Sequence, residues 1–168
     1  MRKYQNSFIV FLLLGIGTLL FFVNRTETNT PEKKLIQHFR AAEVINLIDG
    51  PGFDSESFDA KYQVIAYSES VVGMSIITFN WNPYFENNPE IEFIFYYSGK
   101  DRDELVEWMK RTGFQRPILY DPNRVFYKNN VIGDTKSIVF NTRNGVKQFL
   151  ENPSFPNYQE SLDKLKSR

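Results

Sequence analysis

Ser68, Ser70 and Ser75 fall within eight residues of one another around Glu69, a grouping from which acyl-transfer chemistry could be built. A serine attacks only when a base takes its proton and an acid orients that base. The one histidine, His38, lies far upstream on a segment that reads as a surface helix. A lone loop carboxylate such as Glu69 is more often solvated than catalytic. The chain contains no cysteine, which removes thiolate nucleophiles, disulfides, cysteine metal ligands and a lipid-modified amino-terminal cysteine. One histidine and scattered acids give no metal-ligand spacing, and nothing in the sequence calls for a cofactor.

Other candidates reduce to structure in the same way. Asp101, Asp103 and Glu104 are three close carboxylates, but they open an amphipathic stretch, where acids act as electrostatic caps. Gly50-Pro51-Gly52 lacks the Lys-Ser/Thr ending of a phosphate loop and reads as a turn. Phe79, Trp81, Tyr84 and Phe85 could stack on a ligand, yet such spacing on a helix more often packs a core. Arg102, Arg111 and Arg116 read as solvated surface. All twenty acidic residues but only seventeen of the twenty basic ones follow residue 25. That small negative surplus argues against binding nucleic acid through its phosphates.

The elements that must position these groups begin with an apolar run. Arg2 and Lys3 precede Ser7 to Val23, broken only by Thr18 and two glycines. A helix of that length spans roughly 26 Å, near the lower limit for crossing a bilayer. Phe21-Phe22-Val23-Asn24-Arg25 offers no small-residue cleavage site, so an uncleaved anchor is expected over a removed signal peptide. The basic leader favours a cytoplasmic amino terminus, which puts residues 26–168 outside the cytoplasm, although Arg25, Lys33 and Lys34 weaken the charge bias. This organisation divides the chain into an anchor (1–25), a juxtamembrane helix and linker (26–60) and a folded domain (61–168).

Within the linker, Thr30-Pro31-Glu32 reads as a helix start, and Leu35, Phe39 and Ala42 make one stripe of a helix running to about Asn46. In the domain, Tyr62 to Tyr67 is a short apolar strand, and Met74 to about Asn87 is predicted helical with Pro83 kinking or ending it. Ile91 to Tyr97 (IEFIFYY) is the strongest strand signal, its near-continuous apolar character suiting a central strand covered on both faces. Asp101 to Arg111 has an N-cap, a buried face of Leu105, Trp108 and Met109, and Gly113 as its stop. Pro117 to Tyr120 is a strand, and Asp121-Pro122-Asn123 leads into a helical turn. Ser137 to Phe140 and Val146 to Phe149 form a hairpin across Asn144-Gly145. Asn157 to about Lys166 closes the chain as a helix burying Tyr158, Leu162 and Leu165.

Helical crossovers make the first strands parallel and the hairpin makes the last pair antiparallel, so the fold class is α/β, a mixed sheet flanked by helices. This order resembles the thioredoxin-like superfamily over roughly Lys61 to Lys166. The segment from Pro117 to Asn130 is similar to the branch holding membrane-attached thiol-disulfide oxidoreductases and peroxiredoxins. In that family the first strand leads into a C-x-x-C that opens a helix, and a cis-proline faces it just before the hairpin. The resemblance puts Gly73-Met74-Ser75-Ile76 at the dithiol segment, with Gly73 and Ile76 at the cysteine positions, and Thr135 at the proline. Cysteines placed at 73 and 76 should then form a dithiol at a helix start, with at least one thiol acidified below about 8.5.

Two classes of function stay open. One is a redox-inactive, membrane-anchored binding or scaffolding module of the cell envelope, taking a protein partner into the groove lined by Gly73, Met74, Ser75, Ile76 and Thr135. The other is an oxidoreductase-family enzyme, or a redox accessory that works with a cysteine-bearing partner.

Overall fold

The computed structural model describes residues 35–47, 52–73, 75–131, 133–149, 153 and 156–167. The expected anchor, the helix start at Thr30, the Gly50-Pro51 break and Met74 lie outside them. Among the described residues, no helix is long and apolar enough to cross a membrane.

Six strands form one sheet in the order β1-β4-β3-β2-β5-β6. Their spans are β1 Glu43–Ile45, β2 Tyr62–Ser68, β3 Glu92–Tyr97, β4 Ile118–Tyr120, β5 Ser137–Arg143 and β6 Val146–Phe149. Strands β2, β3 and β4 run parallel, whereas β5 is antiparallel to β2 and β6 to β5. The apolar runs VIAY and IFYY occupy the two central strands, where both faces are covered. Asn144 (φ 51°) and Gly145 (φ 72°) both take the left-handed backbone of a tight hairpin turn.

Alternate residues divide the core. Val64, Ala66, Phe95, Tyr97 and Ile118 face one side, with Leu105, Trp108 and Met109 of α2 (Arg102–Thr112) and Tyr158, Leu162 and Leu165 of α4 (Tyr158–Ser167). Ile65, Tyr67, Ile94, Tyr96, Leu119 and Phe140 face the other, against Phe126 of α3 (Val125–Asn130). The α2 boundaries follow the expected signals. Asp101 accepts from the N–H groups of Asp103 and Glu104, and Gly113 (φ 66°) closes the helix.

Three expectations are corrected. The stretch around Leu35, Phe39 and Ala42 is not a helix but an extended strap across the second face of the sheet. Leu35 bridges to Val146 at one edge, and Glu43–Ile45 pairs with β4 at the other. Apart from one turn, in which the Ala42 N–H donates to the Phe39 carbonyl (3.3 Å), its backbone is satisfied by distant partners. Ile36 N–H donates to the Gly145 carbonyl (2.8 Å), Gln37 N–H to Asn130 Oδ1 (2.8 Å) and Phe39 N–H to the Tyr96 hydroxyl (3.2 Å). Leu35 is left 61% exposed while Ile36 is buried, the reverse of the helical stripe.

The second correction concerns the segment after β2. The only helical structure described there is a 3₁₀ turn, Ile76–Thr78, and a six-residue helix α1, Asn82–Asn87. Pro83 sits in the first turn of α1, where its missing N–H costs nothing, so it starts the helix. Of the aromatic group, Trp81 is in the core and Phe79, Tyr84 and Phe85 pack half-buried against it. Trp81 is 1% exposed, donates its indole N–H to the Ile76 carbonyl (3.0 Å) and meets Phe95 edge-on at 5.4 Å.

The third is His38, which is not on a helix surface. Its ring lies 4.6 Å from that of Phe58, with Nδ1 3.3 Å from the Tyr96 hydroxyl and Nε2 3.4 Å from Gln63 Oε1. Burial lowers its pKa to about 4.

Candidate functional site

The segments expected to line the site lie at the carboxyl end of β2 and the amino end of β5, the end at which open α/β sheets characteristically bind ligands. One wall follows β2: Ser68, the turn Glu69–Gly73, then Ser75 and Ile76. The other precedes β5: Gly133, Thr135 and Ser137.

One hydroxyl, that of Ser137, joins the two walls, and the others brace the first. Ser75 Oγ lies 2.6 Å from Ser68 Oγ, and the Ile76 N–H donates to Ser137 Oγ at 2.8 Å. Ser70 N–H donates to Ser68 Oγ (3.2 Å) and Val72 N–H to Ser70 Oγ (3.1 Å). The serines therefore satisfy one another and the turning backbone. None has a histidine within reach, since His38 is committed to Gln63 and Tyr96 on the other face of the sheet. Thr135 donates through Oγ1 to the Ser137 carbonyl (3.0 Å), and its own N–H donates to the Tyr127 hydroxyl (3.3 Å).

Glu69 differs from the solvated carboxylate its loop position suggests. It pairs with Arg124 at 2.6 Å and accepts from the Tyr67 hydroxyl at 2.9 Å. Arg124 enters α3 in the left-handed conformation (φ 57°), and its guanidinium lies 4.3 Å from the centre of the Tyr127 ring. Tyr127 in turn donates to the Gly133 carbonyl. The chain Glu69–Arg124–Tyr127–Gly133 thus ties the loop after β2 to the loop before β5, a second brace beside the serine contacts. Burial raises the Tyr67 phenol to about 12, so it stays a donor at ordinary pH. This brace is invisible in the sequence, because Glu69 and Arg124 stand 55 residues apart and no local pattern joins them.

Thiol chemistry is absent from this site at three levels. Gly73 and Ile76 supply no sulfur. The helix that would stabilise a thiolate at its amino end begins at Asn82, well downstream of both. The Ile76 N–H, a donor that could have faced an anion, is already bonded to Ser137. Gly73 itself has φ +67° and open space around it, so the turn needs its backbone freedom more than its small size. Among the described residues, no group of three or more His, Asp or Glu could hold a metal ion.

No protein-family model matches the chain, and no curated protein does. Solved structures do. A thiol-disulfide oxidoreductase from Bacteroides fragilis superposes with a TM-score of 0.54 at 14% identity, covering 74% of this chain and 98% of the other. A thiol-disulfide isomerase from Corynebacterium glutamicum gives 0.54 at 12% identity, covering 82% and 98%. A putative thiol:disulfide interchange protein DsbE from Chlorobium tepidum gives 0.54 at 13%, covering 67% and 81%. At such identities the likeness concerns the fold. With its mixed sheet and its helices on both faces, this chain has a thioredoxin-like fold, and it contains no cysteine.

Proposed function

We propose that the chain is a redox-inactive, thioredoxin-like binding module of the cell envelope. Residues 7–23 attach it to the cell membrane as a single span, and the folded domain lies outside the cytoplasm. The groove between Gly73–Ile76 and Thr135 receives an extended segment of a protein partner. One observation carries this reading: the walls of the groove are held together by internal hydrogen bonds and the Glu69–Arg124 pair although no thiol remains to position. Fold and site are separable, so a scaffold can keep its shape for binding after its chemistry is gone. Val72, 61% exposed on the loop after β2, offers an apolar contact at the mouth.

Photo-crosslinkers at Val72 and Thr135, with a control at Val44 on β1, test the groove in envelope preparations of the full chain. Capture of one discrete protein at the first two positions and not at the third supports it. Capture left unchanged by substitutions at Gly73, Ser75 and Thr135 would remove the groove from the proposal. A thiol reductase or peroxidase assay on the purified domain addresses the enzymatic alternative, and turnover above background would overturn redox inactivity. Release of the protein from membranes by salt alone would overturn the anchor.

A further inference from the structure

The strap is held by a hydrogen-bond network in which every proton is assigned. Gln63, fully buried in β2, uses both amide hydrogens on the carbonyls of Ser57 (2.9 Å) and Phe58 (2.8 Å). Its Oε1 must therefore be the acceptor for Thr142 Oγ1 (2.9 Å) and for His38 Nε2 (3.4 Å). That fixes His38 as the neutral tautomer with its hydrogen on Nε2 and a lone pair on Nδ1. The Tyr96 hydroxyl accepts from Phe39 N–H, so it donates its own hydrogen to Nδ1. The order runs from the strap backbone through Tyr96, His38 and Gln63 to β5, and it is complete only while the imidazole is neutral.

Protonating Nδ1 reverses one link. The Tyr96 oxygen would have to accept from both Nδ1–H and Phe39 N–H, and turn away the hydrogen it now points at the ring. The new charge would sit among Phe58, Tyr96 and Phe126, whose rings lie 4.6, 6.4 and 6.4 Å away. A cleft of about 460 Å³ lined by His38, Arg40, Phe58, Asp59 and Gly145 gives protons access to it.

We infer that His38 is a proton-operated latch that holds residues 35–47 across the sheet when neutral and releases them when charged, while the rest of the domain stays folded. Release would uncover the Tyr96 and Phe126 rings and add about 40 Å of extended chain to the tether. The groups facing His38 are known. Arg40, beside it on the strap, opposes protonation, and Asp59, on the 3₁₀ turn at Ser55–Asp59, favours it, the two being paired with each other at 2.8 Å. Tyr96 faces it from β3, and Asp121, directly after β4, acts on Tyr96. Elsewhere on the strap, Glu43 pairs with Arg102 of α2 at 2.9 Å. These outer pairs are exposed, so their acids must be separated from His38 by experiment.

Amide hydrogen exchange of the full chain at pH 7 and pH 4.5, corrected for intrinsic rates, makes that separation. With a pKa of about 4 when docked and an ordinary 6.5 when released, full linkage would favour release about 60-fold more at pH 4.5 than at pH 7. Partial exposure of the ring reduces this to about tenfold. The protection of Ile36, Gln37 and Phe39 should fall by at least that factor, with β2 and β3 unchanged. His38→Gln keeps a donor toward Gln63, and His38→Phe keeps the ring; both should abolish the acid response, and either suffices if the other does not fold. Three results would overturn the inference: strap protection indifferent to pH, loss of β2 and β3 at the same midpoint as the strap, or an undiminished acid response in either variant. The last would assign the effect to Asp59 and Glu43.

Discussion

Reinstalling the missing cysteines separates two ideas that usually travel together, position in the fold and reactivity of the thiol. Gly73→Cys places a side chain at φ +67°, which costs about 1–2 kcal/mol for an L-residue. Ile76→Cys shortens a side chain that is 8% exposed, which costs about 1–2 kcal/mol more. A domain of ordinary stability, about 5–15 kcal/mol, survives both. The family pattern would acidify one thiol at a helix amino terminus, into a range of about 3.5–7.5. Here the first helix is six residues long and starts at Asn82, and a helix dipole acts only within its first turn. The thiol introduced by Gly73→Cys should therefore titrate near the free value of about 8.5, and the one introduced by Ile76→Cys above it because its surroundings are apolar, which reverses the acidified dithiol at a helix start that the family resemblance implies. Thiolate absorbance or iodoacetamide reaction rates against pH, measured on each single variant, give the two midpoints. A midpoint below about 7 at either position would refute this account of the segment, because it would require the field of an α-helix start that the structure places only at Asn82.

Four further outcomes follow from the geometry. Trp81→Ala should cost about 3–5 kcal/mol in denaturant unfolding, since a fully buried indole and its hydrogen bond to Ile76 are lost together; a loss below about 1 kcal/mol would contradict its place in the core. Asn130→Ala removes both side-chain links to Gln37 and one to Phe126, so strap amides should exchange faster and stability fall by about 1–3 kcal/mol. Folding stability should decline as pH falls from about 6.5 to about 4, because the unfolded chain binds a proton at His38 that the folded one resists; a flat profile in this window, corrected with His38→Gln, would be inconsistent with the buried ring. At the other end, Tyr67 and Tyr97 are both raised to about 12 by burial, so stability should drop as pH climbs from 10 toward 12, with phenolate absorbance appearing late.

The central strands are legible because their signal is local. IEFIFYY and YQVIAY are continuous apolar runs, and both form interior strands covered on two faces. Asp101 with Gly113, and Asn144 with Gly145, carry their conformation in their own side chains or lack of one, and the structure uses all four as expected. The strap is illegible for the opposite reason. Its hydrogen-bond partners, Tyr96, Asn130 and Gly145, are dozens of residues away, so a helical stripe of Leu35, Phe39 and Ala42 outweighs them in any short window. Pro83 reads as a breaker within a longer helix, but the helix begins only at Asn82, so there is nothing ahead of it to break. Gly73, Ser75 and Ile76 follow β2 and Thr135 precedes β5, which chain order alone dictates once the two strands pair. The Glu69–Arg124–Tyr127 brace depends on a salt bridge between distant loops, which composition does not encode.

The strap also sets an order of events during synthesis. Residues 35–47 leave the ribosome before any strand they touch, yet Ile36 needs the Gly145 carbonyl, Gln37 needs Asn130, and β1 needs β4. Docking must wait until nearly the whole sheet has been made and the β5–β6 hairpin has turned. Contacts of such long sequence separation form late and slowly. Until then the aromatic face around Tyr96, Phe126 and Phe140 is uncovered, and a chaperone that shields aromatic surface would find its binding window there. Among the described segments, the first to be translated is thus the last to find its place.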